Sequence, residues 1–590
     1  MPFFGLLSCF CSPKPPCPRP TARLQLEMLE DRLLPSISVI GESVFVKTDA
    51  PSEKNGNLTI ILDHIVPFGD LRVRITDNNY GLTGVPLEKA TFAAGTIHAV
   101  NLDDNVDNAL GHNFFNVELL SPDIFLVVNA TKDADAVNIC HDDHLLDYIR
   151  GNMWLNGTGT DYFGKPNVSL NIFGETDATA DRYDIYGNDF ERNGALATPI
   201  FDSFSAVYYG FSAVNVFGGH GKESYFVHDT AASAVTSIFG GVTQTAVSVL
   251  GTTGELDVAG AHVDTVNVGR DLDYGAFDAG SLKRINGTVK VDTGGGTNLL
   301  VDDNSNMSPR TAVLTTQVSA QITWGLIHGL SQGDVIYNPA AVSRVKLETG
   351  SGASEIGGVV NIKVLATEAV TDLEVAGKTY INVGSNGSMQ GIHKDLNVNS
   401  TVAGAVGLTL DDSTDTNARN VTITQHQVSG LAADAAINIG QQQVGSGVDV
   451  VDPLSDLTVL GSVGDGGNVS VKSTQVGANT TIVSNAPDRV HIGDNGSLLG
   501  IKGILSLAGT VPGGTQVTID GSTDESATAT LSQFAAADGT ATALLTGLAP
   551  ADILWSDAAM ASVDIRANSQ STLDAQDTGG VLTGFNGVQV

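Results

Sequence analysis

Ten residues at 383–392, VGSNGSMQGI, return as IGDNGSLLGI at 492–501, 109 positions later. The same offset brings LLVDDNSN (299–306), LTLDDSTD (408–415) and VTIDGSTD (517–524) into one register, aligning Asp302, Asp411 and Asp520. Gly295, Gly404 and Gly513 align with them. Two periods apart, GLSQGDVIY (329–337) matches GLAPADILW (547–555), with Tyr337 over Trp555. Units therefore run over 289–397, 398–506 and a partial 507–590. A diverged unit at 206–288 precedes them, because DVAGAHVDTVNVG (257–269) is similar to LEVAGKTYINVG (373–384). Repetition at a fixed period means that each unit buries a face of its neighbour, and it restricts the fold to an elongated array.

Within a unit, apolar residues alternate in short runs such as VKV (289–291), VTI (421–423), INI (437–439), LTV (457–459) and VSV (469–471). Period-two alternation bounded by Gly, Asn, Asp, Ser and Thr reads as short half-buried strands, so the repeat region is all-β. Tandem immunoglobulin-like sandwiches need a buried aromatic and a linker per unit, and these units lack both. The expected architecture is a parallel β-solenoid (β-helix) whose strands stack as rungs on a narrow aliphatic core. At about twenty residues a coil, a unit makes roughly five coils and about 24 Å of axis.

Composition agrees with many strands joined by tight turns: 67 glycines, 6% aromatic and 16% charged residues in a chain of 590. The net charge of −35 leaves no basic stripe for nucleic acid, and it suits a solvated extracellular surface able to attract divalent cations. Cys9, Cys11, Cys17 and the solitary Cys140 give no disulfide framework. No run of eighteen apolar residues predicts a spanning helix.

The opening MPFFGLLSCFCSPKPPCPRP lacks the basic start of a secretory signal, and Leu6, Leu7 and Ser8 before Cys9 only faintly outline a lipoprotein cleavage box. Residues 37–205 hold most of the aromatics, among them Phe115, Trp154, Tyr183 and Tyr186, together with strand-like runs such as DIFLVV and VSLNIF. This stretch is expected to be a small β domain or a cap on the solenoid. LQLEMLEDRLLPS (24–36) resembles the LEPR/LEDR-type segment near the N-terminus of large secreted or surface proteins of planctomycete bacteria, carried here by Leu29 to Ser36. Repeats of the LxVDD, VxGGxG and VNVGxxGSxxGI kind, matched at 300–303, 216–221 and 381–392, strengthen that resemblance. It implies a sorting segment over 1–36, an elongated extracellular β structure, and a place outside the cell or on its surface.

Few residues offer chemistry. The pairs Asp302–Asp303 and Asp411–Asp412 are too far apart along a solenoid to share one site, and they read as solvated turn or strand-end residues. GGHGKESYF (218–226) approaches the calcium nonapeptide, with Glu223 in the place of its Asp, so Glu223 is the candidate calcium ligand. ICHDDH (139–144) groups Cys140 with His141, Asp142, Asp143 and His144, but adjacent ligands seldom converge on one ion. No nucleophile elbow, zinc-protease motif or phosphate loop is present.

The expectation is a non-catalytic secreted or cell-surface protein acting as spacer, envelope component or adhesin, with extracellular matrix, polysaccharide or another cell-surface component as partner. The alternative is a β-helix polysaccharide lyase or hydrolase. Its site would lie in the irregular 130–205 region, among Arg150, Asp161, Lys165, Asp181, Arg182, Asp184 and Arg192.

Overall fold

A computed structural model of the chain describes residues 36–48, 58–64, 70–77, 88–93, 95–104, 114–130, 136–140, 146–159, 167–178, 180–193, 203–270, 280–350, 359–440, 452–535 and 541–576. Among them are 45 strands and no α-helix, arranged in two long, mainly parallel sheets: sheet I of 22 strands and sheet II of the rest. The chain passes from one sheet to the other and back, so each coil contributes one strand to each. The expected β-solenoid is what the chain forms.

Alternation in the sequence becomes ladders in the core. In sheet II, Val214, Thr236, Leu256, Val289 and Val335 stand in register on successive strands. In sheet I the series is Val266, Leu299, Val345, Thr371, Leu396 and Ile437. Nearly all are fully buried in one continuous hydrophobic cluster. Each aliphatic side chain removed from water contributes about 1.5–3 kcal/mol, which supplies the stacking energy. Outward positions form ladders too. The amides of Asn138, Asn171 and Asn215 each donate to the Asn one rung below, at 2.9, 2.8 and 2.8 Å. Phe173, Phe217 and Phe239 stack at centroid distances of 4.9 and 4.7 Å.

Threonines fix the corners. The hydroxyls of Thr230, Thr252, Thr367 and Thr474 donate to the carbonyls of Gly254, Gly287, Lys394 and Gly503 one coil on, and accept from the N–H of the same residues. All four threonines are buried, and the reciprocal pair satisfies backbone groups that a corner would otherwise strand.

The repeated VGSNGSMQGI stretch is a turn of this scaffold. Ser385 and Ser388 exchange backbone hydrogen bonds of 2.9 and 3.1 Å across Asn386 and Gly387, whose φ angles are +51° and +78°. Asn-Gly with positive φ at both positions is the two-residue hairpin turn that matches strand twist. Asn495 and Gly496 repeat it at +51° and +80°. Thr414 and Thr523 then pin the two turns through the carbonyls of Gly387 and Gly496.

Among the described residues the chain five times lays down a three-stranded meander in place of a single strand. The meanders are Leu58–His64, Leu71–Asp77 and Glu88–Phe92 in sheet II, then Arg182–Ile185, Asp189–Asn193 and Phe204–Tyr209 in sheet I. Next come Arg310–Ser319, Ile322–His328 and Val335–Tyr337 in sheet II, and Asn420–Thr424, Gln427–Ser429 and Ala436–Ile439 in sheet I. The fifth, Thr528–Ala535, Ala541–Thr546 and Ile553–Ser556, is again in sheet II. Each adds two surplus strands, about 10 Å, to one sheet only. Among the described residues an even number of single strands separates consecutive meanders, so the next falls in the opposite sheet and restores the level.

The described residues of a 109-residue unit thus contribute nine strands, six to one sheet and three to the other. The unit corresponds to three and a half passes rather than the five expected, and successive units exchange sheets. In the described part of residues 37–205, strands from Ser43–Thr48 onward pair in series with those of the repeats, and the expected boundary falls inside Phe204–Tyr209. The segment 1–35, with its LEDR-type motif, lies outside the described residues.

Candidate functional site

Among the described residues a dense polar cluster is centred on Arg192, on the reversed middle strand of the second meander. Phe190 and Arg192 are the inward residues of that strand, and Arg192 is 0% exposed. Its Nη2 donates to Asp147, Asp177 and Asp181 at 2.5, 2.6 and 2.6 Å, and its Nε to Asp181 at 3.0 Å. One oxygen from each carboxylate lies within 4.8 Å of the others, a set of the kind that can hold a metal ion. Here the guanidinium supplies the positive charge.

Above the cluster, Tyr183 and Tyr225 stack at 4.9 Å, and the Tyr225 hydroxyl donates to Glu223 Oε2 at 2.8 Å. Gly219 N–H donates to Glu223 Oε1 at 2.5 Å. Burial pushes Glu223 up to about 7, against the pull of the Gly219 bond. Burial likewise pushes Asp181 up to about 6, with Arg192 opposing. Glu223, the candidate calcium ligand, is thus a buried residue with both oxygens already bonded within the protein, and its GGHGKESYF stretch forms part of a rung.

The aspartate pairs are not solvated. Asp302, Asp303 and Asp412 are 0%, 2% and 0% exposed, while Asp411 is half-buried. The turn habit expected of Asp holds at the first position: Asp302, Asp411 and Asp520 each accept the N–H two residues on, at 2.9, 3.1 and 3.1 Å. The second position caps a backbone group across the stack, Asp303 taking Leu282 N–H at 3.1 Å and Asp412 taking Met389 N–H at 2.9 Å. Arg270 stands 3.6 Å from Asp302. Burial raises Asp302 and Asp412 to about 6 each.

Among the described residues of 130–205, the alternative's acids and bases do not come together in one groove. Asp181 and Arg192 point inward, whereas Arg182 and Asp184 lie on the outward face. There Asp184 accepts from Arg182 at 2.8 Å and pairs with His228 at 2.8 Å; burial would raise it, but these partners hold it well below the usual carboxylate range. Arg150 donates to the Asp147 carbonyl at 3.1 Å. Asp161 and Lys165 lie outside the described residues, as do His141 to His144. Cys140, at φ +59°, is buried with its thiol toward the Glu118 carbonyl.

The same outward face of sheet I carries an aromatic strip. Phe125, Trp154 and Tyr209 are 42%, 49% and 42% exposed on the hydrogen-bonded neighbours Phe125–Asn129, Met153–Asn156 and Phe204–Tyr209. Trp154 and Tyr209 lie 5.9 Å apart, and Asn188 donates to the Tyr209 hydroxyl at 3.1 Å. Alternation alone could have placed these three outward, since each flanks an inward aliphatic or tyrosine. No such signal joined Asp147, Asp177, Asp181 and Arg192, whose meeting depends on a strand reversal. Comparison with protein-family models, with curated proteins and with solved structures gave no match.

Proposed function

We propose that the protein is a non-catalytic rod, secreted or held at the cell surface, that acts as a spacer and presents contact surfaces along its length. The observation that carries this reading is the alternation of meanders between the two sheets. It keeps the rungs level over a stack of 22 strands, or about 100 Å. A catalytic site needs titratable groups that reach substrate, yet Arg192, Asp177, Asp181, Glu223, Asp302, Asp303 and Asp412 are spent on one another and on backbone groups. The exposed aromatic strip fits the adhesive part of the role, because rings on a rigid flat sheet offer contact area at low ordering cost. Negative-stain microscopy of the full chain tests the reading and should show unbranched rods about 100 Å long. Incubation with plant, algal and bacterial polysaccharides should release no new reducing or unsaturated ends, and turnover of any of them would overturn it.

A further inference from the structure

On the outward face of sheet I, beyond the fourth meander, lies a recess of about 330 Å³. Asn420, Asn468, Arg489 and Gln516 stand in one row across four adjacent strands, held by the parallel register. A second row places His491 between Ser470 and Thr518. The lining includes no carboxylate, although the chain has 65 Asp and Glu against 30 Lys and Arg. Among the described residues Arg489 pairs with no acid, and its side chain is exposed. Beside it, the Asn468 amide donates to Asn420 Oδ1 at 2.8 Å, which orients the amides along the row.

We infer that this recess binds an acidic glycan, a short run of sugars bearing carboxylate or sulfate ester groups. Guanidinium presents a planar fork to either oxyanion, and an unpaired one in a carboxylate-free hollow is a local attractor on an otherwise repelling surface. Charge therefore selects the anion. The amides and hydroxyls extend over three strand spacings, about 14 Å, more than a lone small anion can engage. They match the donor and acceptor groups of sugar hydroxyls. The inference names a ligand for the contact surface proposed above and rests on that reading. Its failure would leave the rod measured by microscopy untouched.

Titration calorimetry on the full chain tests it, using oligogalacturonates, heparin-derived oligosaccharides and neutral malto-oligosaccharides as separate probes. At least one acidic series should bind, and the one that does tells carboxylate from sulfate; binding should weaken as salt is raised. Arg489→Ala should weaken it at least tenfold and Arg489→Glu should abolish it, with the circular dichroism of both variants unchanged because the residue is exposed. His491→Ala and Gln516→Ala, each lowering affinity several-fold, provide a second line should the Arg489 variants fold poorly. Absence of binding by either acidic series, equal binding of the neutral sugars, or full binding by Arg489→Glu would overturn the inference. So would a result in which Arg489→Glu alters only self-association, since an acidic face of a second copy would then be the occupant.

Discussion

Arg419 Nε lies 3.5 Å from Asp412 Oδ2, and 109 residues earlier Arg310 Nη1 lies 3.7 Å from Asp303 Oδ2. In the third unit both partners are gone together, replaced by Gly521 and Thr528. There Asp524 takes over the cap, accepting Leu498 N–H at 2.7 Å where Asp412 accepts Met389 N–H in the unit before. The arrangement obeys the rule that a buried charge is tolerable in company and costly alone.

Arg419→Thr should therefore lower stability by about 3 kcal/mol, since Asp412 and Asp415 lose their shared cation. Asp412→Gly combined with Arg419→Thr copies the third unit and leaves Asp415 to cap Met389 as Asp524 caps Leu498. A double-mutant cycle on thermal midpoints should show the pair less damaging than the sum of the single changes.

Arg192 holds three carboxylates within hydrogen-bonding distance, two of them 1% exposed. Arg192→Met leaves those charges facing one another and should cost about 3–5 kcal/mol, seen as early melting of the second-meander region by hydrogen exchange. Arg192→Lys keeps the charge but loses the fork, and should fall between the two.

Stability should decline from pH 5 to pH 8. Asp302 and Asp412 rise from 3.8 to about 6 on folding, so the folded state holds their protons more tightly than the unfolded chain. Their contribution is complete below about pH 4 and is lost as pH passes through about 6, on the order of 2–3 kcal/mol each. Glu223, raised from 4.5 to about 7, acts in the same direction slightly later. Asp184 is shifted the opposite way and loses its contribution only below about pH 4, outside this window. Thermal midpoints measured across the range should flatten in Asp302→Asn and Glu223→Gln.

Gly387→Ala and Gly496→Ala each place a side chain at φ near +80°, where a Cβ would also approach Ser413 or Ser522. Each should cost about 1 kcal/mol or more. Asn386→Ala should cost less, because its φ of +51° lies in the left-handed region that Asn tolerates better than Ala. Equilibrium denaturation of each variant checks the ranking.

Much of the fold was legible because a rung needs little more than alternation: VKV, INI and VSV are strands, and the Asn-Gly stretch is a turn. The exchange of sheets was not, because inward-facing Val and Ile look the same in either sheet and only the count of passes decides the side. The buried aspartates were mistaken for solvated ones since Asp signals a turn whether or not a neighbouring coil covers it. Arg192 stood in the suspect region, but its partners at 147, 177 and 181 are separated by strands whose order in space departs from their order in sequence.

Because one unit makes an odd number of half-turns, copies of a motif in neighbouring units look out from opposite sides of the rod. Tyr380, 41% exposed on sheet II, is the counterpart of Arg489 on sheet I. Duplicating a single unit would lengthen the rod and turn everything beyond it by half a revolution. Duplicating two would lengthen it and leave the downstream faces as they were. Growth of such a gene is thus also a choice of symmetry: odd insertions make a two-sided molecule able to bridge surfaces, and even ones reinforce a single side.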